Sequence, residues 1–314
     1  VSAADGAPPA PVRASFSLRG GKFAGVSYIF AAYFLYAVGD AAAKWLVGSI
    51  SVWEVLFTRS WMSLLILLAL GGRRTLEALQ QMLRERGLLG MNLANFGGWA
   101  AYYSAAVWLP LPQLYTAYYL SPIFAALLAR PMLGERIHPA SWAAGTLGFA
   151  GVVVTVAPVQ GPAPQLLPAL LGVASALLWA LSSILYRRKV HHCSSLVLVL
   201  NSNIVIGALS AVPLAFEHPS FNWPRTGALL LVSVSGLAAI FLYIGGVRRV
   251  SVAVAGPIGY FSLVWSVLLA YFIWGDVPHA GFLAGGSLIL LAGLLVFAGE
   301  WRRSRRAAGR VASA

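Results

Sequence analysis

The sequence predicts an all-α membrane protein in which ten transmembrane helices form two inverted five-helix repeats. The first observation behind this is composition: 59% of the 314 residues are hydrophobic and 10% charged, with a mean hydropathy of +0.78, whereas soluble domains carry about 25% charged residues. The second is a series of apolar runs, each about the 20 residues that cross a hydrocarbon core of about 30 Å. They begin near Phe23, Val52, Leu88, Pro110, Pro139, Leu166, Ser194, Thr226, Ser251 and Ala280. The third is an internal repeat. At a constant offset, Tyr119, Ser121, Leu127, Leu128, Ala129, Gly134, His138, Ala143, Gly145 and Leu147 recur as Tyr260, Ser262, Leu268, Leu269, Ala270, Gly275, His279, Ala284, Gly286 and Leu288.

A net charge of +13 raises the question of nucleic acid, and the placement of the charges excludes it. Cations gather in alternate connections: Arg13, Arg19 and Lys22; Arg73, Arg74, Arg84 and Arg86; Arg130 and Arg136; Arg187, Arg188 and Lys189; Arg248 and Arg249; then Arg302, Arg303, Arg305, Arg306 and Arg310. The intervening connections hold only Arg225. This is the positive-inside asymmetry of a polytopic protein, and it puts both termini in the cytoplasm and requires an even number of spans. Five spans per half then make the second repeat start from the opposite face, so the repeats are inverted.

Along the chain, residues 1–21 form an Ala- and Pro-rich cytoplasmic tail, expected to be disordered. The first repeat covers 22–157, a neutral Pro-rich linker 158–164, the second repeat 165–300, and a basic cytoplasmic tail 301–314. No Ala-x-Ala site closes the first run, which is expected to remain as an uncleaved span. Near its outer end Asp40 and Lys44 stand one turn apart, in the acid-then-base order that favours a local pair. Asp40 is a candidate for a cationic group or a coupling proton, and an ion pair with Lys44 snorkelling outward is the plainer reading. In the second span Glu54 and Arg59 are coupling or structural charges, Arg59 being expected to partner Glu54 or Asp40, with binding of a substrate carboxylate as its second reading. The third span sets Asn92, Asn95, Trp99, Tyr102 and Tyr103 at helical spacing, and the fourth Tyr115, Tyr118 and Tyr119. Packing explains any one of these aromatics, but the set reaches the midplane, where each hydroxyl needs a partner. Pro122 and the Gly256-Pro257 step of the ninth span are candidate hinges, and Tyr260 answers Tyr119. In the second half Ser183 and Arg187 stand near where Asp40 and Lys44 stand in the first. His191, His192 and the single cysteine, Cys193, share a short basic loop with no further ligands, so no metal site is expected. Gly281 and Gly285 form a small-xxx-small pair for close helix packing.

The chain resembles the EamA type of the drug/metabolite transporter superfamily over residues 22 to 300. The resemblance rests on Gly39-Asp40-Ala41-Ala42-Ala43-Lys44-Trp45-Leu46 with Glu54 and Arg59, on Leu109-Pro110-Leu111-Pro112 and Ser121-Pro122-Ile123-Phe124, and on Leu133-Gly134-Glu135-Arg136-Ile137 followed by Gly145, Gly148 and Gly151. In the second half Trp274-Gly275-Asp276 replaces the Leu-Gly-Glu element. The resemblance implies a secondary carrier of the bacterial inner membrane, with a cavity between helices one, three and four of one half and six, eight and nine of the other.

The expected function is transport of a small amphipathic or zwitterionic metabolite by alternating access. Amino-acid-derived compounds, metallophore-like products included, are the first class, with export the preferred direction. Uptake of S-adenosylmethionine-like or riboflavin-like compounds is the alternative. Candidate substrate-binding residues are Asp40, Lys44, Asn95, Trp99, Tyr102, Tyr115, Tyr119 and Tyr260. An intramembrane enzyme and a receptor or structural subunit are the lesser readings; no metalloprotease, nucleophile-elbow or paired acidic motif argues for the enzyme, and no phosphate-binding glycine loop argues for ATP-driven transport. No cofactor is expected. The expected partners are a small-molecule substrate, the lipid bilayer and a coupling proton, with the chain acting as a monomer or homodimer.

Overall fold

A computed structural model of the chain describes residues 20–84, 88–133, 139–156, 166–189, 194–217, 223–247, 249, 258–259, 261–292, 294–295 and 298. They fold into α1 (Gly20–Val47), α2 (Val52–Arg84), α3 (Leu89–Ala106), α4 (Leu111–Tyr118), α5 (Ser121–Leu133), α6 (Pro139–Val156), α7 (Leu166–Lys189), α8 (Ser195–Leu214), α9 (Trp223–Val247), α10 (Phe261–Trp274) and α11 (Ala280–Ala292). Five stretches, within α1, α2, α7, α8 and α9, are long and apolar enough to cross a membrane, and Thr146–Thr155, Phe261–Trp274 and Ala280–Ala292 are shorter apolar helices.

Local chemistry sets the ends. The Ser51 hydroxyl accepts the Glu54 backbone N–H at 3.1 Å, capping α2, and Ser194 does the same for Val197 in α8 at 3.3 Å. Gly72, at φ 49°, breaks the helical path inside α2 in a conformation that a side chain would strain. At the other end of the fold Gly275, at φ 72°, closes α10 in the left-handed region and donates to the Tyr271 carbonyl at 2.9 Å. The run expected as one fourth span is two helices, α4 and α5, parted at Tyr119 and Leu120. Pro122 falls in the first turn of α5, where its missing N–H removes no helical bond.

The principal helix contacts cross between the halves of the chain: α1 on α9, α3 on α7 and α2 on α8, with α1 on α10 and α4 on α10, and α4 and α5 on α7. Small residues allow the close approaches. A Cβ on Gly39 would lie 2.6 Å from Ser235 Oγ on α9. Gly281 and Gly285 of α11 face the backbone carbonyls of Val154 and Gly151 on α6, with Gly151 directly opposite Gly285. The largest buried cluster joins Ala41 and Leu46 of α1, Leu56 of α2, Tyr103 of α3, Leu114 of α4 and Ile206 of α8. It lies around the C-terminal half of α1, beside Asp40.

Candidate binding site

Tyr33, Tyr36, Asp40 and Lys44 follow one another at three- and four-residue intervals, so a single stripe of α1 presents all four. Asp40 accepts a hydrogen bond from the Tyr115 hydroxyl of α4 at 2.7 Å and another from the Tyr102 hydroxyl of α3 at 3.3 Å. Tyr103, one residue further along α3, points about 100° round the helix and accepts from Arg59 Nη1 at 2.7 Å. The Arg59 guanidinium lies over the Trp99 ring, 3.9 Å from its centroid, a cation–π contact. Asp40 and Arg59 feel each other's charge, yet Asp40 is held by Tyr115 and Tyr102 and Arg59 by Tyr103.

Trp179 of α7 joins these groups from the second half of the chain. Its ring lies 5.0 Å from Trp99, 5.2 Å from Tyr102 and 5.0 Å from Tyr118, seated over Gly98, where a Cβ would come within 2.9 Å of the indole. Toward the N-terminal end of α1, Tyr33 packs against Tyr36 at 6.3 Å and against Tyr243 of α9 at 6.0 Å. Tyr102, Tyr103, Tyr115 and Tyr119 are buried, whereas Tyr36, Asp40, Arg59, Trp99, Tyr118, Trp179 and Tyr243 are half-buried in the middle of packed helices. Asp40 is enclosed by protein and still borders open space. These side chains therefore wall a chamber with an acid and a base set in an aromatic surface.

The remaining predicted residues lie elsewhere. Lys44 Nζ donates to the carbonyls of Leu109 at 2.6 Å and Ala106 at 3.1 Å, with the Trp274 ring 5.7 Å away and Asp276 in electrostatic reach. It thus closes the carbonyl end of α3, where helices favour a cation. Glu54 sits in the first turn of α2, a favourable end for an acid, with Arg225 and Glu217 as its charged neighbours. Asn95 donates to Ser202 Oγ on α8 at 2.6 Å, and Asn92 to the Asn201 side chain. The polar stripe of α3 therefore divides, its asparagines meeting α8 and its aromatics meeting Asp40 and Arg59. The Tyr119 hydroxyl bonds the Gly259 carbonyl and Ser262, which flank Tyr260 in the chain. Tyr260, Pro257 and the His191-His192-Cys193 loop lie outside the described residues.

Tyr33, Tyr36, Trp179 and Tyr243 were not among the predicted site residues. For Tyr33 and Tyr36 the signal was present, since both share the helical stripe of Asp40. A groove of about 330 Å³ on the flank of α1, α9 and α10, walled by Val38, Ala42, Trp45, Leu231 and Ile273 among others, has only apolar side chains. Trp45, Leu231 and Ile273 are exposed there, as expected of a surface facing lipid tails.

A helical bundle that crosses the membrane several times and encloses charged, aromatic groups between helices from both halves of its chain belongs to the class of membrane carriers. The chain is a member of the EamA-like transporter family, whose model matches residues 23–157 and again residues 166–298. Among its relatives, an S-adenosylmethionine uptake transporter of Rickettsia conorii is 25% identical over 290 residues, covering 90% of this chain and 95% of that one. A riboflavin transporter of Rhizobium johnstonii is 30% identical over 247 residues, 75% of this chain and 78% of its own. The pseudopaline exporter CntI of Pseudomonas aeruginosa is 26% identical over 277 residues, 85% of this chain and 94% of its own. A solved crystal structure matches with a TM-score of 0.60 at 22% identity, over 87% of this chain and 96% of that one, a likeness of fold alone.

Proposed function

We propose that this protein is a secondary transporter of the bacterial inner membrane that moves a small amphipathic or zwitterionic metabolite by alternating access, with export the preferred direction. The observation that carries the reading is the enclosed Asp40, held by hydroxyls of two different helices in a chamber walled by both halves of the chain. A carboxylate so placed costs free energy in a membrane interior unless it binds a cation or proton in its working cycle. Phenol hydroxyls can release it to a substrate ammonium or a proton without leaving a charge uncompensated. Tyr36, Tyr118 and Trp179 offer faces on which an apolar or cationic portion stacks.

The architecture proposed is ten spans in two inverted repeats, with both termini cytoplasmic. The packing supports it. When the spans are numbered in chain order, with α4 and α5 together as the fourth, exchanging each span of one half for its equivalent in the other turns the α1–α9 contact into α7–α3, α2–α9 into α8–α3 and α1–α10 into α7–α5. The α2–α8, α4–α10 and α6–α11 contacts map onto themselves. Two halves related in this way can rock against one another about a shared axis. Uptake of an adenosyl-type or flavin-type compound is the second reading, favoured by the likeness to the Rickettsia S-adenosylmethionine uptake transporter and to the Rhizobium riboflavin transporter.

The test is flux in proteoliposomes loaded with amino-acid-like, adenosyl-like and flavin-like solutes, with and without a proton gradient. Flux of at least one solute class that Asp40→Asn lowers about tenfold or more and strips of its pH dependence is the expected result. Unchanged flux and pH dependence in that variant would remove Asp40 from the mechanism.

A further inference from the structure

Arg59 is provided with less than a guanidinium needs. The group carries five N–H donors, and its hydrogen bond to the protein runs from Nη1 to the Tyr103 hydroxyl. Its other contacts are the faces of Trp99, at 3.9 Å, and Tyr103, at 5.6 Å. No carboxylate among the described residues binds it directly, although Asp40 lies within electrostatic reach. Nor are its remaining donors sealed in. The fully buried side-chain atoms without a partner among the described residues are Ser60 Oγ, Asn92 Oδ1 and Trp265 Nε1, and no Arg59 nitrogen is among them. The unused N–H groups therefore keep accessible surface.

The guanidinium is nonetheless fixed in place. Trp99 lies under it, Tyr103 holds Nη1, and the Ser233 hydroxyl of α9 shares its proton between the Leu229 carbonyl at 2.9 Å and the Arg59 backbone carbonyl at 3.3 Å, a contact from this turn of α2 to the second half of the chain. A guanidinium held over an indole with N–H donors still unused is matched by a carboxylate, which accepts two parallel N–H bonds. Asp40 does not take that role: among the described residues no ion pair joins it to Arg59, and its Oδ2 accepts from Tyr102 and Tyr115. Consecutive residues of α3 serve the two charges separately: Tyr102 donates to the acid and Tyr103 accepts from the base. The result is an acid and a base kept apart across a space, each with capacity to spare.

We propose that Arg59 is the anion subsite of the chamber, taking the carboxylate of a substrate whose ammonium or other donor end meets Asp40, with Trp99 as the platform that orients the guanidinium. This assignment rests on the reading of the chamber as a substrate site and adds that the substrate carries an anionic group. A purely structural Arg59, satisfied by its stack on Trp99, makes the opposite prediction for ligand selectivity.

Three probes separate these outcomes on the purified full chain: 3-phenylpropionate, with the carboxylate alone; phenethylamine, with the ammonium alone; and L-phenylalanine, with both. Binding is measured by titration calorimetry, with each variant's melting curve recorded without ligand. Arg59→Gln is expected to weaken 3-phenylpropionate about tenfold or more and phenethylamine less, and Asp40→Asn to reverse that order. If Arg59→Gln fails to fold, Arg59→Lys carries the test: it keeps the charge but loses the fork, and is expected to weaken 3-phenylpropionate about threefold or more. Wild-type affinity for 3-phenylpropionate in a folded Arg59 variant overturns the anion assignment, while loss of phenethylamine binding in Asp40→Asn keeps the chamber reading. Absence of binding by all three probes to the wild type overturns both.

Discussion

Asp40 and Lys44 stand one turn apart on the same face of α1 and are satisfied in opposite ways. Lys44 gives its protons to two backbone carbonyls at the end of α3, acceptors fixed by the chain path and unable to move without unwinding it. Asp40 takes its hydrogen bonds from two phenol hydroxyls, donors at the tips of side chains that a rotamer change can withdraw. A charge on carbonyls is part of the frame; a charge on hydroxyls is available to a ligand. Adjacency in sequence therefore does not give these two residues a common partner, and the kind of partner distinguishes them better than burial does.

This contrast can be broken in three ways. Lys44→Met should have the largest effect and act on stability: a hydrogen bond to a charged group contributes about 1.5–3 kcal/mol, so loss of both bonds is expected to destabilise by about 3–6 kcal/mol in detergent unfolding, with ligand affinity within about twofold. A stable Lys44→Met protein with lost affinity would instead make Lys44 a substrate contact. Tyr115→Phe comes next. Removing the shorter bond to Asp40 should change affinity for a cationic ligand by about five- to tenfold, or about 1–1.4 kcal/mol, the scale of a single hydrogen bond, with little change in melting temperature. Tyr102→Phe, which removes the longer bond, should change it by less than about threefold. A larger effect from Tyr102 than from Tyr115 would mean that the donors exchange rank during the cycle.

Much of the architecture was readable from hydropathy, because a bilayer demands long apolar helices and penalises charges outside them. The acid and the aromatic stripes of α3 and α4 were readable for the same reason, polar groups in apolar runs being conspicuous. Trp179 was not, because a tryptophan in an apolar helix reads as a lipid or core residue until its neighbour is known, and its seat is Gly98 on a helix far away in sequence. The Lys44 acceptors were invisible on similar grounds: they are main-chain carbonyls 62 and 65 residues away, and carbonyls have no signature in a sequence. Arg59 was expected beside a carboxylate, and its geometry instead gives it an indole and a phenol, partners that charge counting does not consider. The break at Tyr119 and Leu120 lies just before Pro122, whose influence the sequence showed without the position at which the helix would part.

The pairing of α1 with α9 and of α3 with α7 also bears on how the protein is made. At a synthesis rate of about 5–20 residues per second, α1 waits on the order of 10–40 s for the helix that covers it. During that interval the stripe bearing Tyr33, Tyr36 and Asp40 is in the membrane without its final neighbour. The newly inserted first half therefore needs shelter, from the insertion machinery or a chaperone, until the second half arrives, and a polypeptide cut at the linker should assemble only when both pieces are expressed together.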